Sequence, residues 1–167
     1  MRRLTVAVLS SAVFVSALAV SSGLAAPGTA TSYHGTGHDF FNNGPRWHAV
    51  SGHGYAISFQ VSKDGTRVLN FRGEYAYYCG HGTSLITAAS LKIRHASFGG
   101  TGKRSNQSGT NYFALIGHFS HHGRTAQVSY LDDFVFKGKT LMDPYSLAYH
   151  APSLACESRV TGTVSAR

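Results

Sequence analysis

Between Tyr55 and Cys79 apolar and polar positions alternate with a period of two, the signature of a half-buried strand. Tyr55, Ile57, Phe59 and Val61 fall on one face, and Ala56, Ser58, Gln60 and Ser62 on the other. Lys63-Asp64-Gly65 interrupts the run with a favoured tight-turn pair, so the stretch reads as a β-hairpin. In its second arm Leu69, Phe71, Tyr75, Tyr77 and Cys79 share the inward parity. Val68, Asn70, Arg72, Glu74, Ala76 and Tyr78 take the outward one.

The same period recurs along the chain. Tyr33–Phe41 predicts a short strand weakened by glycine, and Asn43-Gly44-Pro45 opens a loop that reaches about Gly54. Trp47 falls in that loop or in a short strand there, and its large surface suits a plug for one end of the core. Leu85–Ala89 and Leu91–His95 are two short apolar pieces, and Gly99–Thr110 reads as a flexible basic loop. Tyr112–Phe119 and Arg124–Tyr130 form a second hairpin around Ser120-His121-His122-Gly123. Phe113, Leu115 and Phe119 take one face of it, against Tyr112, Ile116 and His118 on the other. A last strand runs from about Leu154 to Val164, with Cys156, Val160 and Val164 on one parity and Glu157, Arg159 and Thr161 on the other. Pro144–Pro152 is the one place where a helix fits. Many short strands and Gly-rich turns predict an all-β fold: an antiparallel β-sandwich, compatible with an immunoglobulin-like architecture and containing little helix.

The first 26 residues do not belong to this pattern. Arg2 and Arg3 precede the apolar run Leu4–Val20, and small residues at Ser21–Ala26 offer a cleavage site, which predicts a signal peptide over 1–26 and a secreted protein. An uncleaved anchor is the alternative, but the run is short for a span of about 20 residues. Residues 27–32 read as a flexible linker, and 33–167 as a single domain. Loss of Arg2 and Arg3 leaves thirteen basic residues against seven acidic, a net charge of +6, and ten histidines add charge in acid. Such a surface favours anionic partners.

Cys79 and Cys156, an even pair in an exported chain, predict a disulfide between two inward-facing strand positions; two free thiols are the alternative. The bridge closes a loop of about 77 residues, for which chain entropy gives roughly 4 kcal/mol.

The hairpin I-S-F-Q-V-S-K-D-G-T-R-V, a cysteine ending its second arm, the strand F-A-L-I-G-H-F followed by T-A-Q-V, and a late cysteine together resemble a loose group of small secreted bacterial proteins, actinobacterial in type. Their shared element is S-F-x-V-S-x-D-G-x-x-V. The resemblance covers roughly Tyr33–Val164 and implies a β-sandwich, with no activity to carry over. The histidine count and the Phe41–Gly54 loop depart from the group.

The polar side chains offer three kinds of chemistry. Imidazole binds zinc and copper, and His118, His121 and His122 cluster at one hairpin, so they are the candidate metal ligands. His34 and His38 share a strand face but lie about 13 Å apart, too far for one ion. No HExxH or Cys/His array is present. Acid/base catalysis needs facing carboxylates. Of the seven available, Asp64 and Asp143 look committed to turns, Asp132 and Asp133 point to opposite faces, and Asp39, Glu74 and Glu157 have no pairing spacing. No G-x-S-x-G elbow is found, which leaves a hydrolase as the third reading. The outward aromatics Tyr78 and Tyr112, with Arg72, Lys92, Arg94, Lys103 and Arg104, form the candidate binding set. Charge of this density is too sparse for a nucleic-acid reader. The sequence therefore predicts a secreted, non-enzymatic binding or structural module, without a cofactor, whose partner is an anionic cell-wall polymer or glycan. A His-dependent metal protein is the alternative.

Overall fold

The computed structural model describes residues 30–42, 47–76, 82–141, 143–145 and 155–167, with backbone alone at 40–42, 47–53, 121 and 155–156. Its strands are β1 (Thr31–Asn42), β2 (Trp47–Val61), β3 (Arg67–Ala76), β4 (Thr83–Lys92), β5 (Ser97–Ser105), β6 (Gly109–Ser120), β7 (Thr125–Phe136) and β8 (Ala155–Ala166). They form one eight-stranded sheet, ordered β4-β3-β2-β1-β8-β7-β6-β5, in which every pairing is antiparallel. Because β8 returns to lie beside β1, the sheet coils until it is nearly closed into a barrel. The all-β, antiparallel expectation holds. The further division into two sheets is not seen among the described strands, and period-two alternation is the same in a sandwich and a barrel. What separates them is the long-range pairing of first strand with last.

Between β4 and β5 the ring of hydrogen bonds is open. Only a bridge between Arg94 and Ser97 joins them, at the turn that connects the two strands. Residues 62–66, 93–96 and 121–124 turn at one end of the barrel, termed the lower end, where both β1 begins and β8 ends.

Alternation places the core as expected over most of its length. Tyr55, Ile57, Phe59 and Val61 are all buried, as are Val160 and Val164. Phe59 lies at the hub of an aromatic cluster: its ring stacks on Tyr33 at 4.8 Å and meets Phe98 at 5.1 Å, Phe119 at 6.1 Å and Phe71 at 6.2 Å. Tyr130 is also fully buried, and its hydroxyl donates to the carbonyl of Glu74. Gly73 makes room for that ring, since a Cβ there would stand 2.6 Å from Tyr130 Cζ.

Four sequence expectations are corrected. In β3 it is Val68 that is buried, not Leu69, because a bulge opposite Phe59 puts Asn70 at φ 53° and shifts the parity by one. Gly99–Thr110 is not a loop. Most of it is β5 and the start of β6, and only the turn around Asn106–Ser108 is irregular, where Asn106 Oδ1 accepts from Ser108 N and Gly109 N. The strand forms despite its glycines because β6 supplies a continuous partner and Gly117 lets the Phe98 ring lie flat on it. Leu85–Ala89 and the start of Leu91–His95 belong to one strand, β4, which ends at Lys92, and residues 93–95 lie in the turn that follows. The Phe41–Gly54 loop is mostly the end of β1 and the start of β2, with Trp47 the first residue of β2. The proposed signal peptide, Cys79 and Tyr78 lie outside the described residues, as does the side chain of Cys156.

The turns explain the hairpins. Asp64 accepts from the hydroxyl of Ser62 at 2.5 Å, from Thr66 N at 3.1 Å and from Thr66 Oγ1 at 2.8 Å, which holds its carboxyl down at about 2. The β4–β5 turn is less well served. His95 and Ala96 both take left-handed φ, 49° and 58°, as a two-residue hairpin of this hand requires. Histidine tolerates that region better than alanine, whose Cβ crowds its own carbonyl. Ala96→Gly is therefore expected to stabilise the protein by about 0.5–1 kcal/mol, read as a higher urea midpoint. A lower midpoint would contradict the turn geometry.

Candidate functional site

One property of the chain becomes visible only when the strands are set side by side. From Tyr75 to Leu131 there is no aspartate or glutamate. That stretch supplies β4, β5 and β6, which are neighbours around the barrel on either side of the open seam. One wall of the molecule is thus free of carboxylates, while Lys92, Arg94, Lys103 and Arg104 on it are all exposed. Field lines from like charges on one wall add rather than cancel, which gives this side a positive potential.

The wall is not flat. Gly99, at an outward position of β5, leaves backbone bare beside Ile116 of β6, whose side chain is 39% exposed. The resulting shallow groove has two continuous parts that share Leu115 and Ile116. The lower part, about 480 Å³, is lined by Lys92, Arg94, Ser97 and Phe98. The upper part, about 360 Å³, is lined by Gly100, Thr101, Ala114 and Tyr145. Tyr145, from the connection after β7, meets the ring of Tyr112 edge-on at 5.4 Å. Beyond Tyr112 a smaller depression of about 190 Å³ carries Lys137 and Lys139.

Cross-strand register places the predicted residues. Lys103 lies opposite Tyr112 on the outward parity of β5, so four of the predicted binding residues, Lys92, Arg94, Lys103 and Tyr112, stand along this one outer face, whereas Arg104, opposite Asn111, takes the inward parity and is exposed at the upper rim of the strand. Arg72 does not join them. It is exposed on β3, opposite Thr87 of β4, one strand beyond the seam. Sequence reasoning missed Ile116, Tyr145, Lys137 and Lys139 as neighbours of the groove; the acid-free stretch was the signal that could have drawn attention to this wall.

Three of the described histidines, His95, His118 and His122, lie toward the lower end. His118 is exposed on β6, and its Nδ1 lies 2.8 Å from Ser97 Oγ, directly across the strand pair. His95 and His122 sit in adjacent turns, tied by a hydrogen bond from Phe119 N to Ala96 O. The side chain of His121 lies outside the described residues, and among the described residues no group of three His, Cys, Asp or Glu is placed to hold a metal ion.

The carboxylates lie elsewhere. Asp39, Asp132, Asp133 and Glu157 are all buried toward the upper end of β1, β7 and β8. Asp132 and Asp133 point to opposite faces, as alternation requires, yet both faces are covered. Asp132 accepts from Asn111 Nδ2 at 2.7 Å and is pushed up by burial. Asp39 accepts from Ala76 N at 3.0 Å, and Ser158 Oγ donates to Ala76 O, which ties β1 and β8 to the end of β3. Asp133 stands opposite Glu157 across the β7–β8 pair, a pairing that sequence spacing did not reveal. Burial first, then Glu157 and Asp132, raises the Asp133 carboxyl to about 8.

The chain matches no protein-family model, no curated protein and no solved structure. The groove and its charge are therefore the basis for a functional reading.

Proposed function

We propose that this protein is a secreted, non-enzymatic binding module of the cell envelope or extracellular space, stapled by a Cys79–Cys156 disulfide, that holds an extended anionic chain such as an acidic glycan or cell-wall polymer. The observation that carries this reading is the gathering of Lys92, Arg94, Lys103 and Tyr112 along the outer face of one acid-free, grooved wall, with Arg104 exposed at its upper rim. Cations spaced along a strand suit a repeating anion better than a compact one. From Ser97 to Lys103 the strand rise spans about 20 Å. Tyr112 and Tyr145 offer ring faces and edges at the upper end of the track, and Ile116 an apolar contact midway. The sequence resemblance adds the secreted setting and nothing about the ligand.

The test uses dextran sulfate and polygalacturonate as probes. Combined Lys92→Gln, Arg94→Gln, Lys103→Gln and Arg104→Gln is expected to weaken dextran sulfate binding at least tenfold and to flatten its salt dependence, because four counterion-releasing contacts are lost. Arg72→Gln, off the groove, serves as the control and should leave affinity within about twofold. Equal losses for both would reduce the effect to net charge and remove the groove from the account.

A further inference from the structure

We propose that the open seam between β4 and β5 accepts an acidic polypeptide segment as an added strand. This rests on the anionic-chain reading and names the chain as peptide. The sheet terminates at β4 on one side and β5 on the other, and above the Arg94–Ser97 bridge neither strand has a second neighbour among the described strands. Two strand edges therefore face each other across a gap, each offering a row of backbone N–H and C=O groups. Such edges are templates for pairing, and most proteins cover them.

Two features select the occupant. Charge is the first. Neither β4 nor β5 carries a carboxylate, and Lys92, Arg94, Lys103 and Arg104 stand at the two ends of the seam. A second copy of this chain would set these cations against their own kind. A glutamate-rich segment instead finds a counter-charge at both ends. The space beneath the edge is the second. Gly100 and Gly102 share the inward parity of Phe98, so β5 sends no side chain under the upper seam, and a Cβ added at Gly102 would meet no atom of the described residues within 4 Å. At Gly100 the one described neighbour within that reach is Leu91 of β4, at 3.3 Å, which closes the seam below and leaves it open above. An acidic glycan matches the charge but not the strand repeat, since only a polypeptide presents backbone donors and acceptors in step with the strand rise of about 3.3 Å per residue. β4 and β5 run antiparallel to each other, so an inserted strand is antiparallel to one and parallel to the other.

The experiment compares three probes on the full exported chain: a peptide of about ten residues alternating Glu and Thr, the same peptide with alternate backbone amides N-methylated, and polygalacturonate. The first is expected to bind and to slow hydrogen exchange at amides of Thr83–Lys92 and Ser97–Ser105. N-methylation, which keeps the charge but removes edge donors, is expected to weaken binding at least tenfold. If the methylated peptide binds equally, or protection appears away from β4 and β5, strand addition is wrong while the anionic groove survives. The same holds if polygalacturonate binds and the peptide binds no better. If no probe binds, both readings fall.

Discussion

Phe59→Ala is expected to cost about 3–5 kcal/mol, a large share of the roughly 5–15 kcal/mol that holds a domain together. The size of the loss follows from where the ring stands. Phe59 is buried and touches Tyr33 of β1, Phe71 of β3, Phe98 of β5 and Phe119 of β6, so one side chain joins strands on both sides of the open seam. No hydrogen-bond ladder connects β4 to β5, and aromatic packing must supply what the missing ladder does not. Truncation removes the transfer free energy of the ring and leaves a cavity bounded by rings that are held by their own strands. Phe136 is the comparison. It is 44% exposed, and Phe136→Ala should cost no more than about 0.5–1 kcal/mol. Guanidinium denaturation of both variants checks the contrast. Similar midpoints for the two would mean that Phe59 is not the hub.

Stability is expected to fall as pH rises from about 4 to about 8, through the buried carboxyl of Asp133. The sign follows from proton linkage. Its ordinary value is 3.8 and the fold raises it to about 8, with burial the main cause and the negative charges of Glu157 and Asp132 secondary. Between these values the folded chain keeps a proton that the unfolded chain releases. Unfolding then liberates a proton, and each step up in pH favours the unfolded state by at most about 1.4 kcal/mol per unit. Below about 4 both states are protonated and above about 8 both are ionised, so the dependence levels off at each side. Asp133→Asn removes the ionisation while keeping the shape. The difference between parent and variant isolates this group from every other ionisable group of the chain. Denaturation midpoints of the two proteins measured from pH 4 to 9 should diverge upward in pH, with the variant the more stable above neutrality. Parallel curves would mean that Asp133 is not raised in the fold.

The sequence and the structure agree best where one residue's environment is set by its immediate neighbours. Alternation from Tyr55 to Val61 places four core residues without knowledge of any partner strand, because a strand's two faces are defined by its own backbone. Asp64-Gly65 identifies the β2–β3 turn for the same reason, its hydrogen bonds reaching no further than Ser62 and Thr66. Agreement stops at Asn70. A bulge is a two-strand feature, decided by what lies opposite on β2, and one displaced residue exchanges the roles of Val68 and Leu69. It fails again at Gly99–Thr110, whose glycines and polar residues carry little strand propensity of their own. That segment is a strand because β6 pairs with it.

The candidate site divides in the same way. Lys92, Arg94 and Tyr112 were legible from residue type and parity, and Lys103 and Arg104 from type alone, since their segment reads as a loop. Their common wall was not, nor was the separation of Arg72 from it. Residues by themselves determined an all-β chain, its main hairpins, most of its inward positions and a basic surface, because strand period, turn chemistry and charge are local quantities. Tertiary structure alone decided that β8 closes on β1, that a seam stays open between β4 and β5, that Asp133 meets Glu157 in a buried site, and that the acid-free strands stand side by side. Each of these is set by pairing between segments far apart in the chain, where the free energy comes from contacts that no single segment contains.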